Sequence, residues 1–307
     1  MNCSRRTFLT TCTGGTAGLA AATSAVFATD PPKRITDSQI KLSLAAYSFD
    51  RLMVRRGTPE QLAKAQMTLE TFIDFAASQG LGAVELTGYY FPQIVTEEYL
   101  ISLKQRTHRL GLSISGTAIG NDFCLPDGSA REAQLKACRE WIDYAAIMGA
   151  PVIRIFAGKV PAGDSEEAAI ARCASGINAS LRHAANRGVF LALENHGGIT
   201  ATSQQMLKII ERIDNSAWFG VNLDSGNFHT KDPWSDLEAI APYAVNAQIK
   251  VMISSNGQKV PTDIDRVIRI LRNAGYRGYA ALEYEENEDP FKAIPRHLQT
   301  LSNAVAT

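Results

Sequence analysis

A chain of 307 residues with 45% apolar side chains can bury one large core, and its 31 basic residues against 31 acidic ones leave no formal charge. That balance excludes the basic face a nucleic-acid binder needs and gives no electrostatic reason to sit on an anionic membrane. A small, neutral or weakly charged ligand fits it better.

The first residues read as an address rather than as structure. Ser4-Arg5-Arg6-Thr7-Phe8-Leu9 is a twin-arginine pattern, followed by a mild Gly/Thr/Ala-rich stretch and by Val26-Phe27-Ala28, which resembles a signal-peptidase site. Residues 1–28 are therefore expected to be a twin-arginine signal peptide, 29–40 a linker and 41–307 the folded domain. Gly14, Gly15, Gly18 and several threonines interrupt the stretch too often for a membrane anchor. Passage through the twin-arginine translocation machinery, which carries folded proteins, would place the chain in the periplasm or another extracytoplasmic space. Cys124, Cys138 and Cys173 are an odd number without paired metal-ligand spacing and read as buried thiols.

Beyond the signal, apolar runs alternate with amphipathic stretches. Strands are expected at Lys41 to Phe49, Gly82 to Leu86, Leu112 to Ile119, Val152 to Ala157, Val189 to Glu194, Trp218 to Asp224, Val245 to Val251 and Tyr279 to Glu283. Helices lie between them. Ser129 to Glu132 reads as a capping box, Thr262-Asp263 precedes a stripe of Val267, Ile268 and Leu271, and Gly80, Gly111, Gly149, Gly188 and Gly275 sit where helices end. Eight strand-helix units in one domain are the pattern of an α/β protein of the (β/α)8 TIM-barrel class, whose sites lie at the C-terminal ends of the strands. A doubly wound sheet would want a Gly-rich first turn, and none is found. Asp50 to Gly57, with three arginines, is expected to loop over the barrel mouth.

Four oxygen-bearing side chains end four successive runs: Glu194 in VFLALENHGG, Asp224 in WFGVNLDSGN, Gln248 in AVNAQIKV and Glu283 in YAALEYEE. Carboxylates are costly to bury at strand ends unless a cation or a substrate needs them there. Strand parity puts Ala192, Glu194 and His196 on one face, Gly220, Asn222 and Asp224 on another, and likewise Asn246, Gln248 and Lys250, and Ala281, Glu283 and Glu285. Small residues low in the barrel leave room for a cavity above. Ion pairs to Arg154 or Lys250 are the alternative employment for Glu194 and Glu283, and a plain hydrogen bond for Gln248.

At these residues the chain resembles the sugar phosphate isomerase/epimerase group of xylose-isomerase-like TIM barrels. The resemblance spans Leu42 to the C-terminus and rests on LENHGG, NLDSGN, QIK and LEYEENEDP. It implies one divalent metal held by Glu194, Asp224, Gln248 and Glu283, with Gln248 standing where the family more often has His. Three carboxylates and an amide oxygen favour a hard ion, Mn2+ or Mg2+. The implied chemistry is removal of a proton next to a ketose carbonyl, with the metal stabilising an enediolate and Glu194 and Glu283 serving as acid and base. His196, Asn227, Lys250, Glu85 and Arg154 are the substrate-binding candidates, Glu85 and Arg154 as hydrogen-bonding residues of the inner mouth. A DNA-repair branch of the same fold would need a His-rich cluster and a basic face, which a neutral chain with five histidines does not offer.

The run Glu285-Glu286-Asn287-Glu288-Asp289 would repel a phosphate, so an unphosphorylated sugar or glycoside is expected. A lyase or hydrolase that uses the same enolate chemistry on 3-oxo-glycosides is the alternative, and a non-catalytic sugar-binding barrel a third reading. Exposed barrel helices leave room for a homo-oligomer.

Overall fold

Eight strands close into one parallel barrel. The computed structural model describes residues 29–307; the expected signal peptide lies outside the described residues. The barrel strands are β1 (Gln39–Ala45), β2 (Ala83–Thr87), β3 (Ser113–Ala118), β4 (Val152–Ile155), β5 (Phe190–Glu194), β6 (Phe219–Asp224), β7 (Ala244–Lys250) and, after an inserted hairpin of β8 (Met252–Ser255) and β9 (Gln258–Pro261), β10 (Arg277–Glu283). Their order around the barrel is β1-β10-β7-β6-β5-β4-β3-β2, so each of the eight expected strands is present and neighbours its predecessor. The helices that return the chain are α1 (Pro59–Leu62), α2 (Leu69–Ser78), α3 (Glu97–Arg109), α4 (Ser129–Met148), α5 (Glu166–Arg187), α6 (Ser203–Ile210), α7 (Pro233–Ile240), α8 (Ile264–Asn273) and α9 (Pro290–Ala306). This is a single (β/α)8 TIM barrel.

Local chemistry explains most boundaries. Thr68, Thr96, Ser165, Thr202 and Asp263 each accept a first-turn backbone N–H, which starts α2, α3, α5, α6 and α8. The expected box at Ser129 does not form. Ser129 is already the first helical residue of α4 and Gly128 holds the cap position, so no side chain caps that end. Gly149 and Gly188 end α4 and α5 in the left-handed conformation, as their positions predict.

Two further boundaries differ from expectation. The run Lys41 to Phe49 stops being a strand at Ala45, and Ala46–Leu52 coils into a 3-10 turn that buries Ala46, Ser48 and Phe49. A short apolar run does not by itself distinguish a strand from a buried turn. The hairpin β8–β9 was not anticipated, although Asn256-Gly257 announces it: both residues have positive φ, 51° and 73°, as a tight two-residue turn between antiparallel strands requires.

Residues 29–38 are not a free linker. Thr29 donates to the carbonyls of Ile213 and Asp214, Arg34 to that of Ala244 and Ser38 to that of Tyr276, so this segment runs across the N-terminal base of the barrel. The core lies between strands and helices, where Leu193, Leu223, Ile249 and Leu282 point outward from the barrel and are buried. Cys124, Cys138 and Cys173 are buried free thiols. Among the described residues no helix is long and apolar enough to cross a membrane.

Because Ile249 is wholly buried on the face of β7 opposite Gln248 and Lys250, Ile249→Ala should destabilise the fold by about 2–5 kcal/mol. A lower urea midpoint with circular dichroism unchanged in native buffer is the expected reading.

Candidate functional site

The inward faces of β5, β6, β7 and β10 are layered from base to mouth. Near the base the residues are small: Ser43 of β1 and Ser115 of β3 meet at 2.7 Å, and β5, β6 and β10 carry Ala192, Gly220 and Ala281. Above them four side chains close a ring. Gln248 Nε2 donates to Glu85 Oε1 at 2.6 Å, Asn246 Nδ2 donates to Glu85 Oε2 at 2.9 Å and to Asn222 Oδ1 at 2.8 Å, and Asn222 Nδ2 donates to Gln248 Oε1 at 2.7 Å. A carboxylate only accepts, so Glu85 fixes which way both amides point. Burial raises the Glu85 pKa against the lowering effect of the two amides.

The mouth carries the charges. Glu194 Oε2 lies 2.8 Å from Arg154 Nε, and Glu194 Oε1 accepts from Asn227 Nδ2 at 2.8 Å and meets His196 Nδ1 at 2.9 Å. Burial alone would raise the Glu194 pKa, but Arg154, His196 and Lys250 together hold it below the usual carboxylate value. Lys250 Nζ stands 3.3 Å from Asp224 Oδ2, 3.3 Å from Glu283 Oε1 and 2.8 Å from Glu285 Oε1. Burial opposes charge on Lys250, but the three carboxylates overcome it and raise its pKa.

One ammonium does not neutralise three carboxylates. Desolvation, then the mutual repulsion of the acids, pushes Asp224 up to about 7 and Glu283 well above its ordinary value despite Lys250. Asp224 Oδ2 and Glu283 Oε2 are buried without a hydrogen-bond partner.

Strand register explains the arrangement. Glu283 is level with Lys250, and Asp224 with Gln248, so the β7 residue beside Glu283 is the lysine. Gln248 is drawn into the ring below. Of the sequence-predicted residues, Glu194, Arg154, His196 and Asn227 come together on one side of the mouth and Asp224, Glu283 and Lys250 on the other, while Glu85 and Gln248 meet beneath them. Glu85 is fully buried with both oxygens taken by amides, which places it to hold Gln248 rather than to meet a ligand. The ion pairs anticipated as alternatives for Glu194 and Glu283 are both present.

Three contributors have no role in the sequence expectations, although strand parity already turns Asn222 and Asn246 inward. Asn195 clamps the Asp224 backbone from both sides, accepting from its N–H and donating to its C=O, each at 2.9 Å. Asn222 and Asn246 complete the ring. Their signal was available, since three asparagines inside apolar strand ends must find buried partners. An aromatic rim also surrounds the charges: Tyr47 and Tyr89 pack edge to face, and Phe156 lies against both the Arg154 guanidinium and the His196 ring. Beside the β8–β9 hairpin a cavity of about 350 Å3 opens onto Asn227, Lys250, Glu283 and Glu285.

Among the described residues no three acidic, His or Cys side chains form a ready ligand cage, because Lys250 and Arg154 stand among the carboxylates. The donor set nonetheless fits a divalent cation. Asp224, Glu283 and Glu285 exceed Lys250 by two negative charges, and two buried carboxylate oxygens accept no hydrogen bond, Asp224 Oδ2 having only the Lys250 ammonium at 3.3 Å. Oxygen donors of this kind suit a hard ion.

A parallel barrel with a buried acidic cluster at the C-terminal strand ends defines a class of single-domain TIM-barrel proteins. Within it, the xylose isomerase-like TIM barrel family matches residues 73–301, and the chain belongs to that family. Solved structures agree in fold. D-psicose 3-epimerase from Clostridium cellulolyticum H10 is 11% identical, with 86% of this chain and 99% of that one covered at a TM-score of 0.69. The 3-keto-D-glucoside 4-epimerase YcjR from E. coli is 16% identical, with 87% and 99% covered at 0.65. A xylose isomerase domain protein from Planctomyces limnophilus is 18% identical, with 88% and 98% covered at 0.64. No curated protein matches the chain.

Two measurements probe the site's electrostatics. Glu85→Gln puts an amide donor where two amides already donate, and should cost about 1–3 kcal/mol in urea unfolding. Asp224 has a folded pKa raised from 3.8 to about 7, so the stability it contributes is complete below about pH 3.8 and lost as pH rises through 7. In chelator-treated protein, Asp224→Asn should therefore gain in melting temperature relative to the parent chain between pH 5 and 8; a constant difference would contradict the assignment.

Proposed function

We propose that this protein is a carbohydrate isomerase or epimerase that moves a proton on the carbon next to a ketose carbonyl, with the help of a divalent metal. The observation that carries the reading is the acidic cluster at the mouth, in which buried Asp224 and Glu283, together with Glu285, outnumber the single Lys250 ammonium by two charges while Glu194 is paired with Arg154. The names of the epimerase structures that share its fold support the same reaction class.

Glu194, Asp224 and Glu283 would hold the metal, Mn2+ or Mg2+, while Gln248, expected as a fourth ligand, is engaged in the ring beneath through both ends of its amide. When bound, the metal would supply Lewis acidity that eases removal of the neighbouring proton. Glu194 and Glu283 rise from β5 and β10, strands separated by β6 and β7, so they reach the centre from different directions. One removes the proton and the other returns one to the opposite face of the same carbon. His196, Asn227 and the Lys250 ammonium face the same space and hydrogen-bond the substrate's hydroxyls and the developing oxygen charge. Tyr47 and Tyr89 cover the apolar face of a sugar ring and exclude water.

An unphosphorylated substrate is favoured by the pairing of the cations around the cluster: Arg154 with Glu194, Lys250 with three acids, Arg55 with Asp50 and Lys259 with Glu286. None of these four is left over for a phosphate. The twin-arginine pattern of residues 4–9 supports action outside the cytoplasmic membrane.

The test is incubation with Mn2+ in D2O of a panel of free ketoses and 3-oxo-glycosides, read by NMR. Deuterium should enter the carbon next to the carbonyl, and Glu283→Gln should slow that entry at least about 100-fold. Elimination of the glycosidic substituent after exchange would instead identify a lyase, and exchange unaffected by Glu283→Gln would sink the catalytic assignment.

A further inference from the structure

Among the described residues, Lys250 is the one side chain whose charge touches the whole acidic half of the site. Register sets it beside Glu283, its ammonium lies within 3.3 Å of Asp224 and Glu283, and Glu285 is closer still at 2.8 Å. Its backbone and stem are fixed. The Lys250 N–H donates to Ser225 Oγ at 2.8 Å, and Gly226 lies so close that a Cβ there would come within 2.8 Å of the lysine's Cβ and Cγ. The glycine thus makes room for the stem, and only the end of the side chain is free to move.

The three carboxylates are not equivalent partners. Asp224 and Glu283 are buried, while the Glu285 side chain is 39% exposed and lies at the cavity bounded by the hairpin. An ammonium pushed away from the first two therefore has a carboxylate and open volume waiting on the outward side. A second cation arriving at Asp224 and Glu283 would supply that push, since like charges repel strongly where solvent is excluded.

We infer that Lys250 is a resident counter-cation: in the metal-free protein its ammonium holds Asp224 and Glu283 together, and it withdraws to Glu285 when a divalent cation binds. The lysine thereby lowers the affinity of the site for metal while keeping the empty site folded. This rests on the metal-assisted reading above and extends it to the control of metal occupancy.

Mn2+ titration by calorimetry, with melting curves of chelator-treated and Mn2+-loaded protein, compares the parent chain with Lys250→Met. The variant should bind Mn2+ at least tenfold more tightly, melt lower than the parent without metal, and gain more from added Mn2+. If the parent binds Mn2+ and the variant binds it equally or more weakly, the inference is overturned while the metal-assisted reading stands. If neither binds, both fall. Should Lys250→Met not fold, the unaltered protein still decides: brief acetylation followed by peptide mass spectrometry should modify Lys250 faster with Mg2+ than with chelator, and equal rates overturn the proposal.

Discussion

An excess of negative charge in a dry barrel mouth is the constraint around which the rest of the site is arranged. Asp224 and Glu283 are buried and share one ammonium with Glu285, leaving two charges without compensation. Ionised carboxylates in low dielectric are unstable unless paired, coordinated or protonated. The surrounding side chains answer this demand in different ways: Arg154 neutralises Glu194, Lys250 spreads its charge over three acids, and the upward pKa shifts of Asp224 and Glu283 record what remains.

Beneath the charges, the ring of Glu85, Asn222, Asn246 and Gln248 is the rigid floor on which they stand. Each member is buried and each bond has one chemically allowed direction, because a carboxylate at one corner only accepts. Asn195 adds a second fixed point by clamping the Asp224 backbone. Positioning of this kind matters for proton transfer, where the reacting groups must be held near their working geometry before the substrate arrives. Above the floor, the aromatic rim and the hairpin bound the space open to a ligand.

Much of this was legible in the residues. The alternation of runs predicts all eight barrel strands, and strand parity predicts that Glu194, Asp224, Lys250 and Glu283 face inward at the mouth, because side-chain direction in a strand has a fixed period of two. Asn256-Gly257 also marks the hairpin after β7, a local turn signal that the strand-helix alternation does not contain. Gln248 marks the limit. Its position in the chain matches a ligand position of the family it resembles, yet whether its amide turns up to the acids or down to Glu85 depends on a residue 163 positions away.

The sequence by itself determined the class of fold, the inward-facing acids and the chemistry those acids favour, since periodicity and side-chain type are local properties. Only the tertiary structure decided which cation meets which acid. The register between β7 and β10 sets Lys250 level with Glu283, and barrel closure brings Glu85 of β2 under Gln248 of β7. Such partnerships are fixed by packing across the barrel, where residues far apart in the chain compete for the same few buried atoms.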